Sequence, residues 1–183
     1  MLYNRYSAEV KEIMSKYTDL YEVKKYKEGK ILLSAGNISN HLYYIRSGII
    51  KLYSYNEELM KSFTVAFFSE DEFLIPHRSF VEDLSLRLNL QVIRDAELSV
   101  VSKNNWKILQ AKEPRLTELF NLIALDTMDK FVVYAHDLCY NNSRRYKLAM
   151  ERMPYLKNIN DEEIADYLIT SREIVNKIKN NKY

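Results

Sequence analysis

The alternation of apolar and polar residues changes twice along the chain. At the start, Val10, Ile13, Met14 and Tyr17 recur at helical spacing, which predicts a helix within residues 1–20. After residue 103 the spacing becomes helical again and stays so to the end. The stretch between them is organised differently.

Short alternating runs fill residues 21–101. They predict strands at residues 23–26, 30–33, 41–46, 49–55, 61–68, 88–93 and 96–101. Gly29, Gly36 and Gly48 lie between the runs, where turn geometry favours glycine. Many short strands at regular spacing predict a small barrel or jelly roll.

The first helices after the barrel differ in length. A short helix at residues 104–111 stops before Pro114, and a long one follows within residues 113–140. The long helix carries more apolar surface than packing on a barrel needs, and one stripe would suit pairing with a second copy of the chain: Phe120, Ile123, Ala124, Met128 and Phe131. The alternative is burial of this stripe within one chain.

Two short helices with a sharp turn between them are predicted near the C-terminus. Their apolar positions are Ile164, Ala165 and Leu168 on the first helix, and Ile174, Val175 and Ile178 on the second. The second helix leaves a polar face in water, with Ser171, Arg172, Glu173, Asn176, Lys177 and Lys179. These side chains can bind base edges and phosphates, as in a helix-turn-helix whose second helix enters the major groove of double-stranded DNA. The alternative is a capped helical hairpin that only closes a helical domain.

Capping signals set the expected boundaries of these two helices. Asn160 with Glu163, and Thr170 with Glu173, are both capping-box-like pairs. The turn contains Ile169 where such motifs usually have glycine. Because positive φ is costly for a β-branched residue, the turn must be strained or differently shaped.

Composition favours a cytoplasmic protein. No apolar run of the 183-residue chain approaches the roughly 20 residues that span a bilayer, and no signal-peptide core is visible in residues 1–6. The net charge is only +2, but nine Lys/Arg face six Asp/Glu after position 143, against 18 and 19 before it. The modest excess of positive charge therefore lies where DNA would bind.

Metal and redox chemistry are weakly indicated. His41, His77 and His136 lack the paired spacing of metal ligands, so we expect no metal site. The single cysteine, Cys139, is either a redox switch or an idle thiol, and the idle thiol is favoured.

Several segments resemble the CRP/FNR family of bacterial transcription regulators. Residues 27–36 and 43–53 are similar to that family's first strands and turns, and residues 95–98 to the strand that closes its barrel. Arg145, Pro154 and residues 164–168 resemble the run into its helix-turn-helix. The resemblance implies a homodimer on DNA, with RNA polymerase as a further candidate partner.

The same resemblance assigns roles in the second helix. Arg172, Glu173 and Lys177 fall on positions that read bases in that family. Arg172 would donate two hydrogen bonds to guanine, and Glu173 would accept one from cytosine unless it serves only as a cap. Lys177 stands where arginine is common, so its contact would be single.

Departures from the family pattern are equally specific. The ribose-binding glutamate falls at Pro76 and the phosphate-binding arginine at Leu86, with Arg87 one residue away and on the opposite face of a strand. We therefore predict no cyclic AMP binding and no bound cofactor. The chain also ends too early for a β-wing, which leaves helix ends, Lys179 and Lys182 to contact the DNA backbone.

The expected architecture is therefore α+β in three parts. Residues 1–112 form an N-terminal helix and a double-stranded β-helix (jelly roll), residues 113–140 a long dimerisation helix, and residues 141–183 a helix-turn-helix domain. The expected function is a dimeric, sequence-specific regulator. The competing hypothesis is a jelly-roll small-molecule-binding protein or barrel enzyme whose helical tail assists oligomerisation.

Overall fold

The computed structural model describes residues 6–180, so Lys182 and the first five residues lie outside the described residues. The N-terminal part contains α1 (Ser7–Lys16), a 3-10 turn (Thr18–Leu20), β1 (Glu22–Tyr26), β2 (Ile31–Leu33), β3 (His41–Asn56), β4 (Lys61–Phe68), β5 (Phe73–Leu74), α2 (His77–Glu82) and β6 (Asn89–Ser102). The C-terminal part contains α3 (Lys103–Lys112), α4 (Arg115–Asp137), α5 (Asn142–Arg152), a 3-10 turn (Pro154–Asn158), α6 (Asp161–Leu168) and α7 (Arg172–Lys179).

The strands form one antiparallel sheet in the order β1-β6-β3-β4, with β2 added to β6 and β5 added to β3. A jelly roll followed by helices confirms the predicted α+β fold. The division into three domains at residues 112 and 140 stays a prediction.

Two long bent strands replace four of the predicted short ones. β3 joins the runs at 41–46 and 49–55, and β6 joins those at 88–93 and 96–101. The pairing of β3 with β6 shifts register on both sides of Ser47, where the strands bend. Gly48 has φ +97°, and a Cβ there would lie 2.5 Å from the Cβ of Ala96. Glycine at this position therefore permits the close approach that bends both strands.

The core has three parts. The barrel interior is filled by side chains such as Ile45, Ile50 and Leu98, which are fully buried. A second cluster joins α1, α3 and the start of α4 to one end of the barrel, around Leu109 and Leu116. The third lies between the outer face of the barrel and the C-terminal helices.

Sequence patterns did not predict β5 and α2. β5 has two residues and α2 has six, so neither is long enough to show the apolar periodicity of a strand or a helix in the sequence. Pro76 precedes α2, and Asp83 ends it in the left-handed conformation at φ 57°.

Candidate nucleic-acid interface

The first helix of the predicted pair is α6, and its start agrees with the capping signal. The side chain of Asn160 accepts a hydrogen bond from the backbone N–H of Glu163 at 2.9 Å. Ile164, Ala165 and Leu168 are buried, as their spacing predicted. The prediction for this helix is confirmed.

The turn after α6 is strained. Ile169 adopts φ 50° and ψ 56°, the left-handed conformation that glycine takes most easily. Such a backbone costs a non-glycine residue about 1–3 kcal/mol and persists only where its surroundings hold it. Here the N–H of Thr170 donates to the carbonyl of Ala165 at 3.0 Å, which closes the end of α6.

The start of α7 corrects the second capping prediction. Ser171, not Thr170, is the N-cap, and its hydroxyl accepts from the N–H of Ile174 at 3.3 Å. Both residues are competent caps, so the sequence alone did not separate them. A hydrogen bond from Ser171 lowers the pKa of Glu173, which stays charged beside the positive end of the helix.

The outer face of α7 is exposed over its whole length. Val175 is fully buried, and Ile174 and Ile178 are half-buried. All six predicted DNA-contacting residues are exposed: Ser171, Arg172, Glu173, Asn176, Lys177 and Lys179. The fold therefore brings these side chains together on one short helix and turns them towards solvent.

Two of the four acidic residues of α6 form ion pairs within the protein. Lys179 forms an ion pair with Asp161, and Lys51 forms one with Glu163. Burial raises the pKa of Asp166, whose neighbours include Lys51 and Lys61. This pairing reduces the repulsion that α6 would exert on a phosphate backbone, and it also means that Lys179 is engaged before any DNA arrives.

Helices α6 and α7 with the turn between them, residues 161–179, rest on the outer face of the barrel through α6. Ile49, Phe67 and Ile93 of the barrel join the apolar cluster beneath it. The ring of Tyr167 lies between two other rings, 5.2 Å from that of Phe67 and 4.8 Å from that of Tyr134 on α4. The barrel, α4 and α6 therefore meet at one cluster of tilted aromatic rings.

Lys51 and Arg145 are functional candidates for which the sequence analysis assigned no role. Lys51 lies inside the apolar run 49–53. A lysine within such a run is the sequence feature that could have indicated a buried charge. Arg145 donates to the backbone carbonyls of Leu138, Tyr140 and Leu168 at 2.9, 2.7 and 3.0 Å. These partners are backbone atoms, which no sequence pattern reveals.

The apolar stripe of α4 differs in register from the predicted one. Phe120 and Ile123 pack against the core beside α1, and Phe131 packs against the barrel interior. The exposed apolar side chains are instead Leu125, Met128, Val132 and Ala135. Met128 of the predicted stripe is exposed, but Phe120, Ile123 and Phe131 are not, because a helix with apolar residues on two sides does not reveal which side the barrel takes. The dimer contact itself stays a prediction.

Cys139 lies just past the end of α4 as an exposed, free thiol. It extends the exposed apolar stripe of α4, which gives the positions 125, 128, 132, 135 and 139. This alternation of three and four residues is the spacing of a coiled-coil seam.

The positions that differ from the nucleotide-binding pattern lie around the barrel. Pro76 is buried, and Leu86 packs against the barrel interior, whereas Arg87 is exposed. Positions 76 and 86, which bind the ribose and the phosphate in the family pattern, therefore provide neither a hydrogen-bond acceptor nor a cation. A cleft of about 620 Å³ lies elsewhere, between the barrel and the C-terminal helices, lined in part by Ile49, Arg94, Met153 and Tyr155.

Within residues 6–180, no three His, Cys, Asp or Glu side chains are grouped so that they could hold a metal ion. No helix in that part of the chain is long and apolar enough to cross a membrane.

Comparison with known proteins agrees with this geometry. Residues 23–113 match the family model described as the cyclic nucleotide-binding domain. No curated protein matches the chain. Several solved structures do.

Three of these structures cover nearly the whole chain. The c-di-GMP responsive global regulator CLP of Xanthomonas campestris is 14% identical with a TM-score of 0.71, over 93% of this chain and 90% of that one. A CooA mutant of Carboxydothermus hydrogenoformans is 18% identical with a TM-score of 0.70, over 93% and 82%. A CRP-family transcriptional regulator of Thermus thermophilus is 14% identical with a TM-score of 0.66, over 86% and 83%.

Residues 23–113 thus match the cyclic nucleotide-binding domain. The chain as a whole has the fold of the CRP/FNR transcription regulators, which confirms the resemblance seen in the sequence. At these sequence identities, similarity to the solved structures is evidence for the fold alone.

Proposed function

We propose that this protein is a homodimeric, sequence-specific DNA-binding regulator of transcription. The observation that carries the proposal is α7: its inner face is buried around Val175, and its outer face presents Arg172, Asn176 and Lys177 to solvent. A helix of this kind can enter the major groove, where arginine recognises guanine by two hydrogen bonds.

Dimerisation would use the exposed apolar stripe of α4. Leu125, Met128 and Val132 are 57%, 62% and 65% exposed, and apolar side chains aligned on one helix face are typical of a protein interface. Pairing two copies along α4 would present two α7 helices to successive major grooves, about 34 Å apart. The bound DNA would then be a near-palindrome.

The regulator would act without cyclic AMP. Pro76 and Leu86 provide neither the acceptor nor the cation that a cyclic nucleotide needs, and Arg87 points to solvent. The competing barrel enzyme would need clustered metal ligands, which residues 6–180 do not provide. Because of the family fold, the proposal also includes RNA polymerase as a partner and the cytoplasm as the location of the protein.

Selection of bound sequences from a random double-stranded DNA pool tests the proposal. The expected result is enrichment of one motif with two related half-sites in inverted order. The binding should weaken steeply with salt, since phosphate contacts release counterions. Failure to enrich any motif, at low salt and with folded dimeric protein, would overturn it.

A further inference from the structure

Lys51 is a buried charge on the outer face of the barrel. It lies on β3, and its side chain is only 6% exposed. Its ammonium group donates to both carboxylate oxygens of Glu163, at 2.8 and 2.7 Å, and lies 4.6 Å from the centre of the Tyr53 ring. The pair joins the barrel to the first turn of α6, across 112 positions of sequence.

A buried ion pair is selective for one arrangement of its partners. Removing two charges from water is costly, and good geometry is needed to offset that cost. If α6 slid or rotated while still covering β3, Lys51 would stay shielded from water but would lose its ion pair with Glu163. The contact with Glu163 therefore penalises other orientations of α6.

A second polar contact holds the far end of α6. Lys61, on β4, donates to the carbonyl of Thr170 at 3.3 Å. Thr170 lies between the end of α6 and Ser171, the N-cap of α7. The β3–β4 hairpin thus touches α6 near its start and just beyond its end, which restricts both sliding and rotation of the helix.

A displacement of α6 would also displace α7. The two helices share the apolar cluster that includes Leu168 and Val175, and the strained Ile169 joins them through a short turn. A packed interior moves as a unit because its side chains interlock. The direction in which α7 projects is therefore tied to the position of Glu163.

We infer that Lys51 is a positioning residue for DNA recognition: through Glu163, it fixes the angle of the helix-turn-helix unit on the barrel. This inference rests on the proposed function, because the angle matters only if two α7 helices bind one DNA. In the dimer, that angle determines the distance between them. The barrel would thus select the spacing of the two half-sites, although it touches no base.

The test measures binding to DNA in which the spacing varies. The half-site recovered from the random pool is placed in inverted pairs whose spacer changes by one base pair at a time, and also alone. Affinities are measured by fluorescence anisotropy for the wild type, for Lys51→Met, and for the double variant Lys51→Met with Glu163→Leu. Lys30→Met, which removes an exposed barrel lysine, is the control.

The double variant keeps the test valid if Lys51→Met alone does not fold. Lys51→Met leaves the Glu163 carboxylate unpaired, whereas replacing both partners by apolar residues is often neutral for stability. Thermal unfolding of each variant then shows whether it is folded before DNA binding is compared.

We expect the wild type and Lys30→Met to prefer one spacing by roughly tenfold or more. The folded Lys51 variants should lose that preference while binding a single half-site within about twofold of the wild type, because the surface of α7 is unchanged. A folded double variant with the same spacing preference as the wild type would overturn the inference and leave the proposed function intact. A wild type that binds no DNA would overturn the proposed function itself.

Discussion

The guanidinium of Arg145 donates a hydrogen bond to the backbone carbonyl of Leu168 at 3.0 Å. The same group binds the carbonyls of Leu138 and Tyr140. One side chain on α5 therefore joins the segment after α4 to the end of α6. The carbonyl of Leu168 directly precedes Ile169, so this bond also supports the strained turn.

Replacing Arg145 with methionine should destabilise the protein. Three carbonyls would lose a charged donor, and hydrogen bonds to charged groups contribute about 1.5–3 kcal/mol each where they are shielded from water. We expect a loss of about 2–4 kcal/mol in the free energy of unfolding, measured by urea denaturation. Arg144→Met is the matched control, because Arg144 is exposed on the same helix. Equal stability of the two variants would show that the three bonds contribute little.

Val132→Lys should convert the proposed dimer to a monomer. Val132 lies at the middle of the exposed apolar stripe of α4, and a lysine there would place two like charges within the paired helices. Analytical ultracentrifugation should show the mass of one chain for this variant and of two for the wild type. Asp129→Lys, at an exposed position outside the stripe, should stay dimeric. A dimeric Val132→Lys protein would place the contact elsewhere.

Cys139 should report the direction of the pairing. If the two α4 helices run parallel along the stripe, the two Cys139 thiols lie across the seam at the same level. Mild oxidation should then produce a disulfide-linked dimer on a non-reducing gel, which Cys139→Ser should not form. An unlinked wild-type dimer under the same oxidation would argue against parallel pairing in this register.

Cyclic AMP should not bind. With Pro76 buried and Leu86 packed against the barrel interior, a nucleotide would find no ribose acceptor and no phosphate cation at these positions. Calorimetric titration of the dimer should therefore give no heat of binding up to millimolar cyclic AMP. Binding at micromolar concentration would contradict this reading of the barrel.

Local signals in the sequence predicted more of the fold than of the site. The cap at Asn160, the stop before Pro114 and the alternation of the strands depend on neighbouring residues, and the structure agrees with them. The cap of α7 was placed one residue early because Thr170 and Ser171 are equally suitable. Phe120, Ile123 and Phe131 of the predicted stripe pack within the chain, because only the packed barrel decides which side of α4 is covered.

Contacts between residues far apart in the sequence could not be predicted, for a different reason. Lys51 and Glu163 are 112 positions apart, and the sequence around one of them gives no information about the other. The bend at Gly48 likewise depends on contact with Ala96, which belongs to another strand. Such contacts follow from the fold as a whole, and here they connect the barrel to the candidate interface.

The most direct test of the central claim compares the wild type with Arg172→Ala on the selected operator and on all its single-base variants. Lys30→Ala on the barrel serves as the charge-matched control. We expect Arg172→Ala to lose about 1–3 kcal/mol of binding free energy and to stop discriminating at one position in each half-site, because a bidentate contact to guanine is removed. Unchanged affinity and unchanged preference in Arg172→Ala would contradict the claim that the exposed face of α7 reads DNA.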